Sequence, residues 1–360
     1  MAPVSRISLS RRSLIGGAAA VASGAAALAP ATSDAEGRRW AARPPAGFTR
    51  LSLPGKVVRV TRPGSLQDNG AYPKPEAAQA MLEAAMTALT GKASLREAFA
   101  TVVHPDDVVA IKPNGIAGRK TMKMATNVEL VAAIARAVID VGVPPEKITV
   151  FEQYRDFLYA TRCVTNKDTL APAPEMPAGI RYAVHLNKEA EMDKITVGGV
   201  ATRYVTPFTS ATVVLNVSQM KDHSICGFTG AMKNITHGSN VNPHEFHAHN
   251  ASPQIAHLYA QEVVRSRVAL HITDAFQVIY DEGPIDVNPR RRAPHESIYA
   301  ATDPVALDVV GWEVIEGFRK ENGLPTLAED GRSPSYLDVA AALGLGVADR
   351  AAIALREIQA

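Results

Sequence analysis

The sequence predicts an α/β fold, a mostly parallel or mixed sheet with helices on both faces. Three observations carry that prediction. Short, largely apolar runs recur at Val108-Val-Ala-Ile111, Ile148-Thr-Val-Phe151 and Thr212-Val-Val-Leu-Asn216, as strands buried on both faces require. Between the first two, Leu130, Ile134, Val138 and Val141 form one apolar stripe at helical spacing, so strand, loop, helix and strand follow one another as in a right-handed crossover. With 46% apolar and 21% charged residues in a chain of 360, the composition excludes a disordered or collagen-like protein.

Residues 1–31 differ from the rest. Arg6, Arg11 and Arg12 precede a run of small apolar residues from Leu14 to Leu28, with no acid, which is the pattern of a signal peptide. Arg11-Arg12, within Ser10-Arg-Arg-Ser-Leu-Ile15, resembles the twin-arginine export signal. The run reaches the low end of a membrane span, but Gly and Ala make it weakly apolar, so export ranks above a permanent anchor and no stable span is expected in the mature chain. The expected partners are the twin-arginine export machinery and a small-molecule or metal ligand, and the expected location is periplasmic or secreted. Removing residues 1–31 takes away three arginines, so the formal charge falls from +2 to −1. A chain so balanced offers no global field for nucleic acid.

Residues 32–55, with Pro44, Pro45 and Pro54 and no sustained period, read as a flexible tether. A single α/β domain is expected over 56–360. Val57–Val60 begins it as a strand, Pro75–Leu89 has helical spacing, and Ser94-Leu-Arg-Glu97 and Thr126-Asn-Val-Glu129 are capping boxes. The stretch from Thr161 to Asp193 reads as an excursion from the sheet. Gly198-Gly199 between β-branched residues marks a hairpin, and Val268–Ile272 and Ser297–Ala301 are further strands. Asp303-Pro304 is an N-cap with proline at the first helical position, and a last helix near Tyr336–Leu343 stops at Gly344.

The chemistry concentrates between Asn216 and Asn250, which holds Lys221, Lys233 and five of the ten histidines. Loops after the carboxyl ends of parallel strands build the sites of α/β sheets, and Lys112-Pro-Asn-Gly115 is a second such loop. One reading is a divalent metal held by His244, His247 and His249, with His223 or His237 and an acid such as Asp222, Glu245 or Asp274 nearby. A second is an anion site in which the turn Gly227-Phe-Thr-Gly230 and the helix after it offer backbone N–H groups and Lys112, Lys221 and Lys233 supply charge. Lys221 or Lys233 is alternatively a desolvated catalytic amine. Cys226 near His223 reads first as a buried small residue. With only Cys163 and Cys226, neither an iron–sulfur cluster nor a disulfide framework is expected.

Ile111-Lys-Pro-Asn114, Met220-Lys-Asp-His223, Gly227-x-Thr-Gly230, Met232-Lys-Asn234, Asp274, Glu282-Gly-Pro284 and Thr302-Asp-Pro-Val-Ala-Leu-Asp308 together resemble the domain of unknown function 362 family. The likeness runs from about Val108 to Gly346. Many members of that family resemble iron–sulfur proteins through an attached segment of cysteine quartets, which the two cysteines here do not match. The resemblance implies a shared pocket around Lys112, Asn114, Lys221, His223, Thr229, Lys233, Asn234, Asp274, Asp303 and Asp308. The expectation is an exported small-anion-binding or cofactor-dependent enzyme, with Lys221, His223 and Lys233 catalytic and the remaining pocket residues binding ligand. Its alternative is a non-catalytic periplasmic metal- or solute-binding protein using the histidines at 244–249.

Overall fold

The computed structural model describes residues 39–116, 124–185 and 190–360, and for His249 and Asn250 the backbone alone. The signal read at residues 1–31 lies outside them. A nine-stranded sheet organises the chain. Its strands are β1 (Lys56–Thr61), β2 (Val109–Lys112), β3 (Ile148–Glu152), β4 (Arg181–Val184), β5 (Val213–His223), β6 (Gly227–Thr229), β7 (Val268–Ile279), β8 (Arg292–Ala301) and β9 (Ala354–Gln359). They lie in the order β9-β1-β8-β7-β5-β2-β3-β4, with β6 paired to β5. Only β8 and β6 run against the others. The sheet is therefore mixed and largely parallel, as expected of an α/β fold.

Alternation along the strands supplies two cores. Val58, Val109, Ile111, Val213 and Leu215 pack on one face with α1 (Pro75–Thr90), α2 (Leu95–Phe99) and α3 (Val128–Val141). The short α4 (Arg155–Ala160) follows β3. Val57, Ala110 and Val214 pack on the other face with α5 (Ala231–His237), α6 (Gln254–Tyr259), α7 (Pro304–Glu321) and α8 (Tyr336–Ala342). The residues of β2 and β5 are thus buried on both faces, which is why these strands read as continuous apolar runs. No helix among the described residues is long and apolar enough to cross a membrane.

Several elements depart from the expectations. Residues 40–55 are held against the domain rather than tethering it: Arg50 pairs with Asp107 at 2.7 Å, Leu53 N–H donates to Thr302, and Leu51 and Leu53 pack on the first core. Polar composition hid these partners because they lie 50 to 250 residues away in sequence. The excursion after Thr161 returns to the sheet as edge strand β4. At α3 the capping box does not form, since Thr126 donates to the Val217 carbonyl at 3.0 Å and Glu129 pairs with Arg162 at 2.6 Å. Asp274 takes over, accepting from Asn127 N–H at 2.8 Å and from its side-chain amide at 2.9 Å. Strand β5 continues to His223, well past Asn216. The expected hairpin forms, with Ile195–Val197 against Val200–Thr202.

Asp303 ties the two ends of the domain together. Its Oδ1 accepts from Val305 and Ala306 N–H at the start of α7, and its Oδ2 from Gly55 and Val347 N–H, all at 2.9 to 3.0 Å. Asp303→Ala strands four buried amides at once and is expected to lower the unfolding free energy by about 2 to 4 kcal/mol. The measurement is the urea midpoint at unchanged slope; a loss below about 1 kcal/mol would show that water replaces the carboxylate.

Candidate functional site

The strand order reverses between β2 and β5. From β2 the chain moves outward through β3 and β4, then returns to lay β5 on the other side of β2. Ligands of open α/β sheets occupy the crevice at such a point. A cavity of about 240 Å³ lies there, lined by Lys112 and Asn114 after β2, Glu152 and Gln153 after β3, His223 on β5, Thr229 on β6 and Lys233, Asn234 and His237 on α5, with His244, His247, Tyr154 and Phe157 toward its sides. Two glycines let the backbone approach this closely. A Cβ on Gly115 would lie 2.0 Å from the Phe157 carbonyl oxygen, and one on Gly238 would lie 2.6 Å from Lys112 Cε.

Three lysines gather around this cavity. Lys112 Nζ pairs with Glu152 Oε1 at 2.9 Å and donates to the Pro113 carbonyl. Glu152 is held in turn by Gly115 and Gln153 N–H. Lys221 Nζ donates to Asn114 Oδ1 at 2.7 Å. Lys233 Nζ lies 3.0 Å from His247 Nε2. Neither Lys221 nor Lys233 has a carboxylate at ion-pair distance among the described residues. Burial disfavours their charged forms: desolvation, with the neighbouring lysines, brings Lys221 down to about 7, and desolvation lowers Lys233 as well.

Burial disfavours the charged form of three histidines here. Desolvation and then the Lys233 charge hold His223 and His237 well below the usual value and His247 at about 4. Hydrogen bonds assign their tautomers. His223 Nδ1 accepts from Ile225 N–H at 3.0 Å and Cys226 N–H at 3.4 Å, so its single proton sits on Nε2. His247 Nδ1 faces the Pro243 carbonyl at 3.0 Å and must donate to it, which leaves Nε2 as an acceptor for Lys233. One imidazole is therefore a donor and the other a base. Thr229 adds a hydroxyl that is buried without a partner among the described residues.

Behind the lining runs a one-way chain of hydrogen bonds. Lys221 donates to Asn114, Asn114 Nδ2 to Asn234 Oδ1 at 2.9 Å, and Asn234 Nδ2 to Asn216 Oδ1 at 2.7 Å. Asn216 Nδ2 meets His271 Nδ1 at 2.9 Å, and His271 Nε2 meets the Tyr259 hydroxyl at 3.1 Å. Asn234 also donates to the Lys112 carbonyl at 3.2 Å. The chain crosses β2, α5, β5, β7 and α6.

Of the residues expected in the pocket, Lys112, Asn114, His223, Thr229, Lys233, Asn234, His244 and His247 line it. Lys221 stands behind Asn114 rather than in the lining. Asp274, Asp303 and Asp308 are elsewhere, and each holds the start of a helix. Asp308 accepts from Ala231 N–H at 2.5 Å and Met232 N–H at 3.1 Å, so the expected anion site at that helix end is already filled by the protein's own carboxylate. The turn before it is not free either, because Gly227–Thr229 pairs with β5. Of the metal trio, His247 commits both ring nitrogens, His244 is exposed, and the His249 side chain lies outside the described residues. No three His, Cys, Asp or Glu side chains among the described residues converge to hold a metal. Asp222 is engaged by Arg332 at 2.6 Å and by Gly283 N–H. Burial pushes the Cys226 thiol up to about 11, the reverse of an activated nucleophile. Glu152 was missed, although it directly follows the buried run ending at Phe151, the same position that drew attention to Lys112.

A family model described as domain of unknown function (DUF362) matches residues 109–313. That is more than half of the chain, and the chain belongs to this family. No curated relative matches it.

The Lys221 ammonium gives a signed pH dependence. Its value falls from 10.5 to about 7 on folding, so between those values the unfolded chain binds more protons and stability rises with pH. Urea unfolding at pH 7, 8 and 9 is expected to show that rise, and Lys221→Met to flatten it. Parallel curves for the two proteins would mean that Lys221 keeps an ordinary value in the folded state.

Proposed function

We propose that this member of the DUF362 family binds and acts on a small anion in the cavity between β2 and β5. One observation carries the reading: Lys233, buried in the cavity lining, has no carboxylate partner among the described residues. A buried ammonium without a counter-charge is costly, and an anionic ligand relieves that cost. The unpartnered Thr229 hydroxyl and the Nε2–H of His223 are donors suited to anionic oxygens. His223 accordingly serves as a neutral donor in this reading. The metal- or solute-carrier alternative finds less support, since His247 is already used by Lys233 and Pro243.

Export by the twin-arginine route, with action in the periplasm or outside the cell, forms part of the same proposal. Its support is Arg11-Arg12 ahead of the Gly- and Ala-rich run.

Among the described residues Glu152 is the one carboxylate lining the cavity, and it offsets the Lys112 charge. Glu152→Gln leaves Lys112 unpaired, and acetate or phosphate is expected to bind about tenfold more tightly by calorimetric titration. Lys233→Ala is expected to weaken the same binding by about 30-fold or more. Unchanged affinity in both variants would remove the cavity as the anion site.

A further inference from the structure

We propose that Lys233 is an imine-forming amine and that the ligand class of this cavity is a small 2-oxo acid. This deepens the anion-binding reading and rests on it. The three lysines differ in what receives their hydrogen bond. Lys112 donates to a carboxylate that stabilises its charge, and Lys221 donates to an amide oxygen that cannot take a proton. Lys233 faces an uncharged base, the lone pair of His247 Nε2 at 3.0 Å. His247 is fixed in that tautomer by the Pro243 carbonyl and is half-buried. The same cavity holds two donors for a carbonyl oxygen, His223 Nε2–H and the Thr229 hydroxyl, and a second ammonium, Lys112, for a carboxylate. Amine, base, oxygen donors and carboxylate holder are the parts that carbonyl addition requires.

The Lys233 ammonium gives one proton to His247, and the freed nitrogen lone pair forms a bond to the carbonyl carbon. The π pair of the C=O bond moves to oxygen, which His223 and Thr229 stabilise. A proton passes from nitrogen to that oxygen to give the carbinolamine. His247 then gives its proton to the carbinolamine hydroxyl, the C–O bond breaks as water leaves, and the nitrogen lone pair closes the C=N bond of a protonated imine. The sum is ammonium plus ketone to iminium plus water, with no oxidant or reductant. Lys233 and His247 touch the reacting atoms and are the catalytic residues of this step.

The experiment incubates the full-length protein with glyoxylate, pyruvate, 2-oxobutyrate or benzoylformate, adds cyanoborohydride, and maps the reduced adduct by mass spectrometry of peptides. Binding of the same acids is titrated without reductant. The expected result is an adduct on Lys233 ahead of every other lysine. Lys233→Arg, which keeps the charge but cannot form an imine, should bind the acids and give no adduct. His247→Gln should slow adduct formation by about 100-fold. Binding of the acids with no Lys233 adduct from any of them overturns the imine and leaves the anion reading intact. An adduct on Lys112 or Lys221 in its place overturns the assignment. Neither binding nor adduct overturns both readings.

Discussion

The side-chain amide of Asn234 is the contact on which the site depends. Its oxygen accepts from Asn114, and its nitrogen donates to Asn216 and to the Lys112 carbonyl, so one planar group joins α5 to the end of β2 and to β5. An amide is suited to this because it carries an acceptor and two donors at fixed angles. Buried at low dielectric, such a chain of donors and acceptors has one consistent direction. That direction holds Asn114 Oδ1 toward Lys221 and makes His271 an acceptor at Nδ1.

Given that frame, the protein separates its acids from its site. Asp274, Asp303 and Asp308 are each buried and each take backbone N–H groups at the start of α3, α7 and α5. A carboxylate there satisfies amides that have no partner within the helix. The cavity is left with lysines, neutral imidazoles and one carboxylate. The imbalance is tolerated because desolvation lowers the affinity of Lys221 and Lys233 for their protons.

Much of this was legible in the chain. The buried runs at Val108, Ile148 and Thr212 marked three adjacent strands of the sheet, and their carboxyl ends pointed to Lys112, Asn114 and the segment after Asn216. What misled was local pattern without partners. Thr126-Asn-Val-Glu129 has the spacing of a capping box, but both of its side chains find stronger partners in Val217 and Arg162. Gly227-Phe-Thr-Gly230 has the look of an anion-binding turn, but it folds back on β5 and leads into a helix end already occupied by Asp308. The polar segment before Lys56 has no periodicity, yet Arg50 and Leu53 anchor it to residues far along the chain.

The sequence by itself determined the class of fold, the family and the segment that carries the chemistry, because those follow from periodicity, strand order and the clustering of residue types. The tertiary structure alone decided the roles within that segment. Whether a lysine is paired, and whether Asp274 or Asp308 holds a helix start or faces a ligand, depends on neighbours brought in from other elements. Lys112 meets Glu152 and Lys233 meets His247 only once β3 and the loop after α5 are in place. Protonation is set by such contacts and by burial, which local spacing does not show.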